Sequence, residues 1–367
     1  MIIHRSMLNP SRQWLKLSFL TFIILFIIYK FSYDNKLLNE QRSIATGTNL
    51  STVPLSELTR NYIDDVECPE PLVPIYDRVV DPLDDDEQKI PRQIHLAWIR
   101  GFDSPQSRCI SRDMMKIPLQ WMKQFPTYSI YFHDDHAVDT LLNQHWSEFP
   151  HLSKMMKACV KFGSAMRIDI WRLLVLYKYG GFYSDFDVAP NEEVDESLVE
   201  PNDTAFFLSD VSNRPSQWLH GMEPNHPIAY FTMLEIFKRL LELSDVSEVK
   251  LVYLTGPDAL KHGYARFMHE LEDYASIFNP GTHTGKFGKV VRKLKNNACY
   301  NFTGPMVPFP RNSTNPEKIT IYERIRREMS SEHWKTAVRK RENIPKGSCI
   351  DHLYMNDNNL TVPSIIP

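Results

Sequence analysis

Hydrophobic and polar positions follow two different periods within one stretch of the chain, residues 163–190. In the first half of this stretch, apolar residues recur every three to four positions, which is the spacing of an amphipathic helix. These residues are Met166, Ile170, Leu173, Leu174 and Tyr177. Two glycines, Gly180 and Gly181, follow at the place where helices commonly end. The pattern therefore predicts a helix that stops at this Gly-Gly pair.

The second half of the stretch predicts a strand that ends at Pro190, because many of its residues are aromatic or β-branched. Alternate residues of a strand face the same side, so Asp185 and Asp187 are expected to present two carboxylates together. Neighbouring carboxylates suit a hard divalent cation such as Mn²⁺ or Mg²⁺. Asp169 and Arg172, three residues apart on the predicted helix, are close enough to act together. Asp-X-Asp triplets are frequent by chance, but this context favours a metal site over a solvated strand end.

Strands and helices alternate through the central part of the chain. The pattern predicts strands at 90–99, 128–132 and 205–208. It predicts helices at 109–125 with a break at Pro118, at 152–162 and at 228–243. Asp134 and Asp135 are expected to cap a helix rather than to bind a metal. This order predicts an α/β fold with a mostly parallel sheet flanked by helices. Ligands of such sheets bind beyond the carboxyl ends of the strands, where Asp187 would lie.

The N-terminal region predicts a membrane anchor. Residues 17–29 carry no charge and lie between Lys16 and Lys30, with further basic residues before them. We interpret residues 14–33 as an uncleaved signal anchor of a single-pass type II protein, and a cleaved signal peptide is the alternative. The other predicted segments are a cytosolic tail at 1–13, a luminal stem at 34–88, a catalytic domain at 89–355 and a C-terminal tail at 356–367. The catalytic domain would then lie in the lumen of the Golgi or the endoplasmic reticulum.

Charge and cysteine usage narrow the functional class. The formal net charge is −3, so a nucleic-acid partner is not indicated. Acceptor triplets for asparagine-linked glycosylation begin at Asn49, Asn202, Asn301, Asn312 and Asn359, as expected for a luminal chain. The cysteines, which have no zinc-binding spacing, are Cys68, Cys109, Cys159, Cys299 and Cys349. An oxidising lumen allows up to two disulfides and leaves one thiol, and the pairing stays open.

The central stretch contains the pattern Asp-x-x-Arg, Leu-Tyr, Gly-Gly, Tyr and Asp-x-Asp. Its residues are Asp169, Arg172, Leu176, Tyr177, Gly180, Gly181, Tyr183, Asp185 and Asp187. This pattern resembles glycosyltransferase family 32, the group of the fungal α-1,6-mannosyltransferases, and more distantly the clostridial glucosylating toxins. The resemblance extends over residues 90–260. It implies a Rossmann-like fold of the GT-A type, a nucleoside diphosphate sugar as donor, a divalent cation, and retention of the anomeric configuration.

The same resemblance implies roles for the residues of the motif. Asp185 and Asp187 would be the catalytic residues, with Asp187 binding the cation. Asp185 would contact the ribose or the sugar and share in the metal shell. Asp169 and Arg172 would bind hydroxyls of the hexose, and Tyr183 would belong to the same substrate-binding site.

Residues outside this stretch also match the family. Trp98 would stack on the nucleotide base, with a core aromatic as the alternative. Trp218 and Gly256 lie in segments similar to substrate-binding segments of the family, although a tight turn would equally explain Gly256. His333 is the candidate for a third metal ligand, and His352 is its rival.

These observations predict a metal-dependent glycosyltransferase that moves a hexose, with mannose as one candidate, to a glycan or glycolipid acceptor. The donor would be GDP-mannose or a UDP-sugar. One alternative is a catalytically silent luminal module that binds sugars or nucleotides on the same fold. A metal-dependent hydrolase or phosphotransferase is disfavoured, because no water-activating base accompanies the acids.

Overall fold

A computed structural model describes residues 53–59, 66–83, 87–99, 105–160, 163–190, 192, 194–210, 212–247, 250–268, 276–295 and 346–354. All of them belong to one compact unit, Val53–Pro367. The predicted anchor at 14–33 and both predicted tails lie outside the described residues, as does His333. Among the helices that the structure describes, none has the length and apolar character needed to span a bilayer.

The described part of the chain contains nine strands and nine α-helices. The strands are β1 (Leu72–Pro74), β2 (Gln93–Ala97), β3 (Cys109–Ser111), β4 (Ser129–His133), β5 (Gly181–Asp185), β6 (Ala205–Ser209), β7 (Pro215–Met222), β8 (Gly281–Thr284) and β9 (Val290–Leu294). The helices are α1 (Leu55–Thr59), α2 (Arg112–Gln124), α3 (Asp135–Asn143), α4 (Leu152–Cys159), α5 (Gly163–Tyr179), α6 (Pro227–Leu241), α7 (Leu251–Leu254), α8 (Pro257–Phe267) and α9 (Cys349–Tyr354).

Seven strands form the central sheet in the order β4-β2-β5-β7-β6-β9-β8. The pairs β4–β2, β2–β5 and β6–β9 are parallel, whereas β5–β7, β7–β6 and β9–β8 are antiparallel. Only β7 and β8 therefore oppose the direction shared by the other five strands. The predicted α/β class with a mostly parallel sheet is confirmed, but the pattern analysis missed β7, β8 and β9.

The segment after residue 105 differs from its prediction. A single helix was expected over 109–125 with a break at Pro118, but Cys109–Ser111 is a strand that pairs with β1. Ser111 then caps α2, since its hydroxyl accepts the amide of Met114 at 3.2 Å. Pro118 lies inside α2 without ending it and is buried against the core. The burial of that helix face outweighs the hydrogen bond that a proline cannot donate.

Part of the predicted stem packs against the sheet. β1 pairs with β3 beside the disulfide Cys68–Cys109, and Ile75 is buried in the core. Arg78 donates to the carbonyl oxygens of Met122, Phe125 and Tyr128 at the end of α2 and the start of β4. Residues 66–83 therefore belong to the folded unit.

Two disulfides occur among the described cysteines, as many as the sequence allowed. Cys68–Cys109 joins the predicted stem to β3, and Cys159–Cys349 holds α9 against α4. Cys299 lies outside the described residues. The second bridge fixes the end of the described chain to the folded unit.

The Gly-Gly pair sets the position of β5. Gly180 and Gly181 have φ angles of +69° and +83°, a region that favours glycine, and the Gly180 amide closes the helix on the carbonyl of Leu176 at 2.8 Å. A Cβ on Gly181 would lie 2.5 Å from the backbone oxygen of Gln93. The turn thus brings β5 into contact with β2 in the register that pairs Ala97 with Asp185.

A pair of buried histidines, His95 of β2 and His133 of β4, joins these two strands. His95 Nε2 lies 3.0 Å from the carbonyl oxygen of Gly180, and His95 Nδ1 lies 3.0 Å from His133 Nε2. Because a carbonyl can only accept, His95 Nε2 carries the proton and Nδ1 accepts from His133. Burial lowers the pKa of His95 to about 4, although the Gly180 carbonyl acts in the other direction. His95 is therefore a buried core residue whose two ring nitrogens are both hydrogen-bonded.

The histidine pair predicts a loss of stability in acid. The pKa of His95 is lower in the folded than in the unfolded chain, so the unfolded state binds more protons as the pH falls below about 6.5. His95→Gln is therefore expected to reduce the slope of unfolding free energy against pH by about 1.4 kcal/mol per pH unit between about pH 4.5 and 6. Denaturant titrations of the full chain at several pH values measure this slope.

His262→Gln is the matched control for this measurement, because that side chain is half exposed on α8. It shows how far the loss of a half-exposed histidine by itself changes the slope. An equal slope for His95→Gln and the wild-type chain would contradict the assignment of a neutral buried His95.

Candidate active site

The carboxyl ends of β2 and β5 place three predicted site residues at one edge of the sheet. Asp185 is the last residue of β5 and lies opposite Ala97 of β2, and Trp98 follows directly. Phe186 is buried and packs against Trp98 with ring centroids 5.9 Å apart. Asp187 comes next and is exposed to solvent. This edge therefore carries acidic groups that water or a ligand can reach.

The chain between the two aspartates is a turn, which corrects the prediction of a strand as far as Pro190. β5 ends at Asp185, and the amide of Val188 donates to the Asp185 carbonyl at 3.0 Å. The burial of Phe186 in the hydrophobic cluster favours this turn. The two carboxylates are thus brought near each other by a turn, and the alternation of a strand does not explain their position.

Arg172 of α5 joins the acidic residues. Its guanidinium lies 3.3 Å from Asp169 Oδ1 and 3.4 Å from Asp185 Oδ1. It also lies over the ring of Tyr183, 4.6 Å from the centroid, and the Tyr183 hydroxyl donates to Asp185 Oδ1 at 2.6 Å. The structure therefore brings Asp169, Arg172, Tyr183 and Asp185 into one cluster.

A closed ring of contacts holds the Arg172–Asp169 pair. Arg172 donates to the backbone carbonyl of Gln217 at 2.8 Å, and Gln217 Nε2 donates to the carbonyl of Thr255 at 2.9 Å. The Thr255 hydroxyl then donates to Asp169 Oδ2 at 2.9 Å. This ring connects α5, β7 and the turn before α8, so three separate parts of the chain fix the pair.

Burial and charge shift the ionisation of this cluster. Burial alone lowers the pKa of Arg172, but the acidic groups around it outweigh that effect and raise the pKa overall. Burial also raises the pKa of Asp169 to about 6, while the positive charge of Arg172 acts in the opposite direction. Arg172 therefore stays charged, and burial makes Asp169 easier to protonate than an ordinary carboxyl group.

Asp187 is also shifted. The partial removal of water around Asp187 is the larger cause that raises its pKa to about 6, and the negative charge of Asp185 is the second cause. The Asp187 side chain is nevertheless exposed, and water moderates the first cause. A bound cation would relieve the repulsion between the carboxylates of Asp185 and Asp187.

Sequence comparison agrees with this geometry. Residues 111–204 match a family model described as the glycosyltransferase sugar-binding region containing a DXD motif. That region includes α5 and β5, and Asp185, Phe186 and Asp187 form the motif. Residues 111–204 are therefore similar to the sugar-binding region of the DXD-containing glycosyltransferases. The predicted resemblance is confirmed, and the family model and the relatives agree with the prediction of a glycosyltransferase.

Two curated relatives resemble parts of this chain. It is 29% identical over 223 residues to the initiation-specific alpha-1,6-mannosyltransferase of Candida albicans, covering 60% of this chain and 52% of that protein. It is 26% identical over 161 residues to an uncharacterized glycosyltransferase of Acanthamoeba polyphaga mimivirus, covering 43% and 60% respectively. The chain thus spans between half and two thirds of the length of these relatives. Among solved structures, the PaToxG glycosyltransferase matches at 20% identity and a TM-score of 0.36, covering 48% of this chain and 68% of that one.

The site has donor groups that suit a divalent cation shared with a substrate. Among the described residues, no group of three or more histidine, cysteine, aspartate or glutamate side chains could hold a metal alone. Asp185 and Asp187 supply two carboxylates, and Mg²⁺-like ions are commonly bound by one or two carboxylates plus substrate phosphates. The set therefore fits such an ion. His333 cannot be placed, and its rival His352 lies in α9, which Cys349 joins to α4.

The other predicted site residues, Trp98, Trp218 and Gly256, differ in how far they are buried and in what they contact. Trp98 is half-buried against the core, and its buried Nε1 has no hydrogen-bond partner among the described residues. Trp218 is half-buried and also packs on the core. Gly256 is the N-cap residue before α8, and a Cβ there would lie 2.7 Å from the Cα of Val252, so a tight turn explains this glycine. Stacking of Trp98 on a base stays a prediction.

Pattern analysis did not assign roles to Gln217 and Thr255. Both lie in segments that resemble the family, but Gln217 contributes its backbone carbonyl and Thr255 a single hydroxyl to the site. Every residue has a backbone carbonyl, so a hydrogen bond to one cannot be predicted from the type of the amino acid. The missed strand β7 was the signal that could have placed Gln217 beside α5.

Proposed function

We propose that this glycosyltransferase moves a hexose from a nucleoside diphosphate sugar to a hydroxyl group of a glycan, on a fold of the GT-A type. The observation that carries the proposal is the position of the DXD motif. Asp187 is exposed beyond the carboxyl end of β5 and is repelled by Asp185, which Arg172 and Tyr183 hold in place. This is the edge at which α/β sheets bind ligands.

The proposed roles follow from these contacts. Asp187, with a share from Asp185, would hold Mn²⁺ or Mg²⁺. The ion would offset the negative charge that develops on the departing diphosphate. Asp185 already accepts from Tyr183 at one oxygen, so its orientation is set before a ligand binds. A held orientation reduces the loss of freedom on binding.

The Asp169–Arg172 pair would bind hydroxyls of the transferred hexose. The ring through Gln217 and Thr255 keeps both charged groups in place, and charged groups form the stronger hydrogen bonds to a sugar. We assign no nucleophile or general base to the chain. The family resemblance implies retention, and the departing diphosphate would then take the proton of the acceptor hydroxyl.

The donor and the location are further parts of the proposal. The similarity to a protein named as a mannosyltransferase supports mannose, with GDP-mannose as the donor and a UDP-sugar as the alternative. The two disulfides support an oxidising compartment, and the exposed Asn202 is an accessible glycosylation acceptor. Both are consistent with a type II Golgi protein anchored through residues 14–33.

Thermal unfolding of the full chain with nucleotides tests the proposal. GDP-mannose or a UDP-sugar is expected to raise the melting temperature in the presence of Mn²⁺ and to do so much less after chelation. The reason is that Asp185 and Asp187 would hold the ion, and the ion would offset the negative charge of the diphosphate. A ligand at a hundred times its dissociation constant stabilises by about 2.7 kcal/mol. The absence of a shift with every donor would contradict the proposal. A shift without donor hydrolysis or transfer would favour a silent binding module.

A further inference from the structure

A cavity lies among the segments that precede Gln217 and Thr255. Its volume is about 340 Å³, near the lower end of the range of about 300–1,000 Å³ that ligand pockets commonly have. The lining residues are Arg214, Lys250, Leu251, Val252, Tyr253 and Asp258. They come from the residue before β7, from α7 with the residue before it, and from the first turn of α8.

Tyr253 provides a fixed aromatic surface in this cavity. Its side chain is 46% exposed, although it is large and apolar. Behind it lies Arg239, whose guanidinium is 4.2 Å from the ring centroid and whose side chain is only 2% exposed. The same guanidinium donates to the Tyr253 carbonyl and lies 3.1 Å from Asp258 Oδ2. One buried arginine therefore orients both the ring and the carboxylate.

The polar groups around Tyr253 are close to charge balance. Arg214 pairs with Asp210 at 2.7 Å, and Asp258 pairs with Arg239. Lys250 is exposed and forms no ion pair with any residue that the structure describes. An aromatic plane with hydrogen-bond donors and an acceptor at its rim suits a neutral pyranose. The C–H face of such a sugar can pack on the ring while its hydroxyls bond to the rim.

The cavity is adjacent to the proposed hexose site along two segments. Tyr253 lies two residues before Thr255, which donates to Asp169. Arg214 lies three residues before Gln217, whose carbonyl accepts from Arg172. The cavity is therefore lined by the same two chain segments that supply Gln217 and Thr255 to the ring around the Asp169–Arg172 pair.

We propose that this cavity binds the acceptor, with a neutral hexose residue of the acceptor glycan packed on the exposed face of Tyr253. The inference rests on the proposed function, since an acceptor is needed only if the chain transfers sugar. The proposed function places the donor diphosphate at Asp187, and the residues that line this cavity are not among those proposed to hold the donor. The exposed ring of Tyr253 and the nearly balanced charges around it suit a neutral sugar of the acceptor.

The test uses the full chain and mannotriose as the probe. Tyr253→Ala is expected to raise the dissociation constant for mannotriose, measured by saturation-transfer NMR titration, by about five- to tenfold, and to raise the acceptor KM by a similar factor. Tyr253→Phe keeps the ring and should behave as the wild-type chain. Tyr76→Ala removes another exposed tyrosine, 43% exposed on the segment after β1, and should change neither value.

Each outcome separates this inference from the proposed function. Equal mannotriose binding by Tyr253→Ala and the wild-type chain would overturn the inference even if the enzyme transfers sugar. Competition of inorganic phosphate with mannotriose, abolished by Lys250→Ala, would overturn the neutral-sugar assignment. Weakened binding of GDP with Mn²⁺ in Tyr253→Ala, seen as a smaller thermal shift, would show that the cavity serves the donor. Absence of transfer with every donor would count against the proposed function alone.

Discussion

Asp187→Ala is expected to reduce Mn²⁺-dependent hydrolysis of the donor sugar by at least about a hundredfold while the chain stays folded. The reason is that Asp187 is the exposed carboxylate of the motif, so its removal takes a ligand from the cation and little packing from the core. Loss of one acidic group also relieves the repulsion with Asp185. The thermal stability of the variant should therefore lie within about 0.5 kcal/mol of the wild-type value or slightly above it.

Glu192→Ala is the matched control, because Glu192 is an exposed carboxylate five residues further along the chain, 86% exposed and paired only loosely with Lys123 at 3.7 Å. It should retain donor hydrolysis and the response to Mn²⁺. Undiminished hydrolysis by Asp187→Ala would refute the assignment of the cation to this residue. The thermal shift by GDP with Mn²⁺ provides a second readout that does not depend on turnover.

Arg172→Met is expected to have the largest effect on stability. The substitution keeps much of the buried volume but leaves Asp169 and Asp185 without the cation that balances them. Removal of one partner of a buried ion pair commonly destabilises by about 3–5 kcal/mol. We therefore expect a melting temperature lower by on the order of 5–10 °C, together with loss of transfer. Thermal unfolding monitored by circular dichroism measures the first effect.

Arg167→Met on the same helix is the control. Arg167 pairs with Asp139, but both side chains reach solvent, so this pair is expected to contribute about 1 kcal/mol or less. Arg172→Lys keeps the charge and loses the planar fork that reaches two carboxylates and a carbonyl, so we expect an intermediate melting temperature. Equal melting of Arg172→Met and Arg167→Met would show that the ring does not hold the site.

Much of the site could be predicted because its central part is contiguous in sequence. Asp169 and Arg172 are three residues apart on a helix, and helical geometry makes such residues neighbours. Asp185 and Asp187 follow a glycine pair and an aromatic strand, a combination that local pattern analysis can read. The expectation that strand alternation places the two aspartates side by side was wrong. The chain turns after Asp185 with Phe186 buried, and this turn sets the positions of the two carboxylates.

The partners of the cluster could not be predicted in the same way. Gln217 and Thr255 lie about 40 residues apart from each other and reach the helix only when β7 pairs with β5. β7 lacks the alternation of buried and exposed residues that marks a strand with one face in solvent, since seven of its eight residues are buried. Such a strand gives no period-two signal.

The amino-acid sequence alone therefore determined the α/β class, the DXD motif and the helix that carries Asp169 and Arg172. Each depends on interactions between residues close together in the chain. The tertiary structure alone decided the turn after Asp185, the ring through Gln217 and Thr255, and the cavity around Tyr253. These features depend on which distant segments pack together, and long-range packing is set by the burial of the whole core rather than by any local pattern.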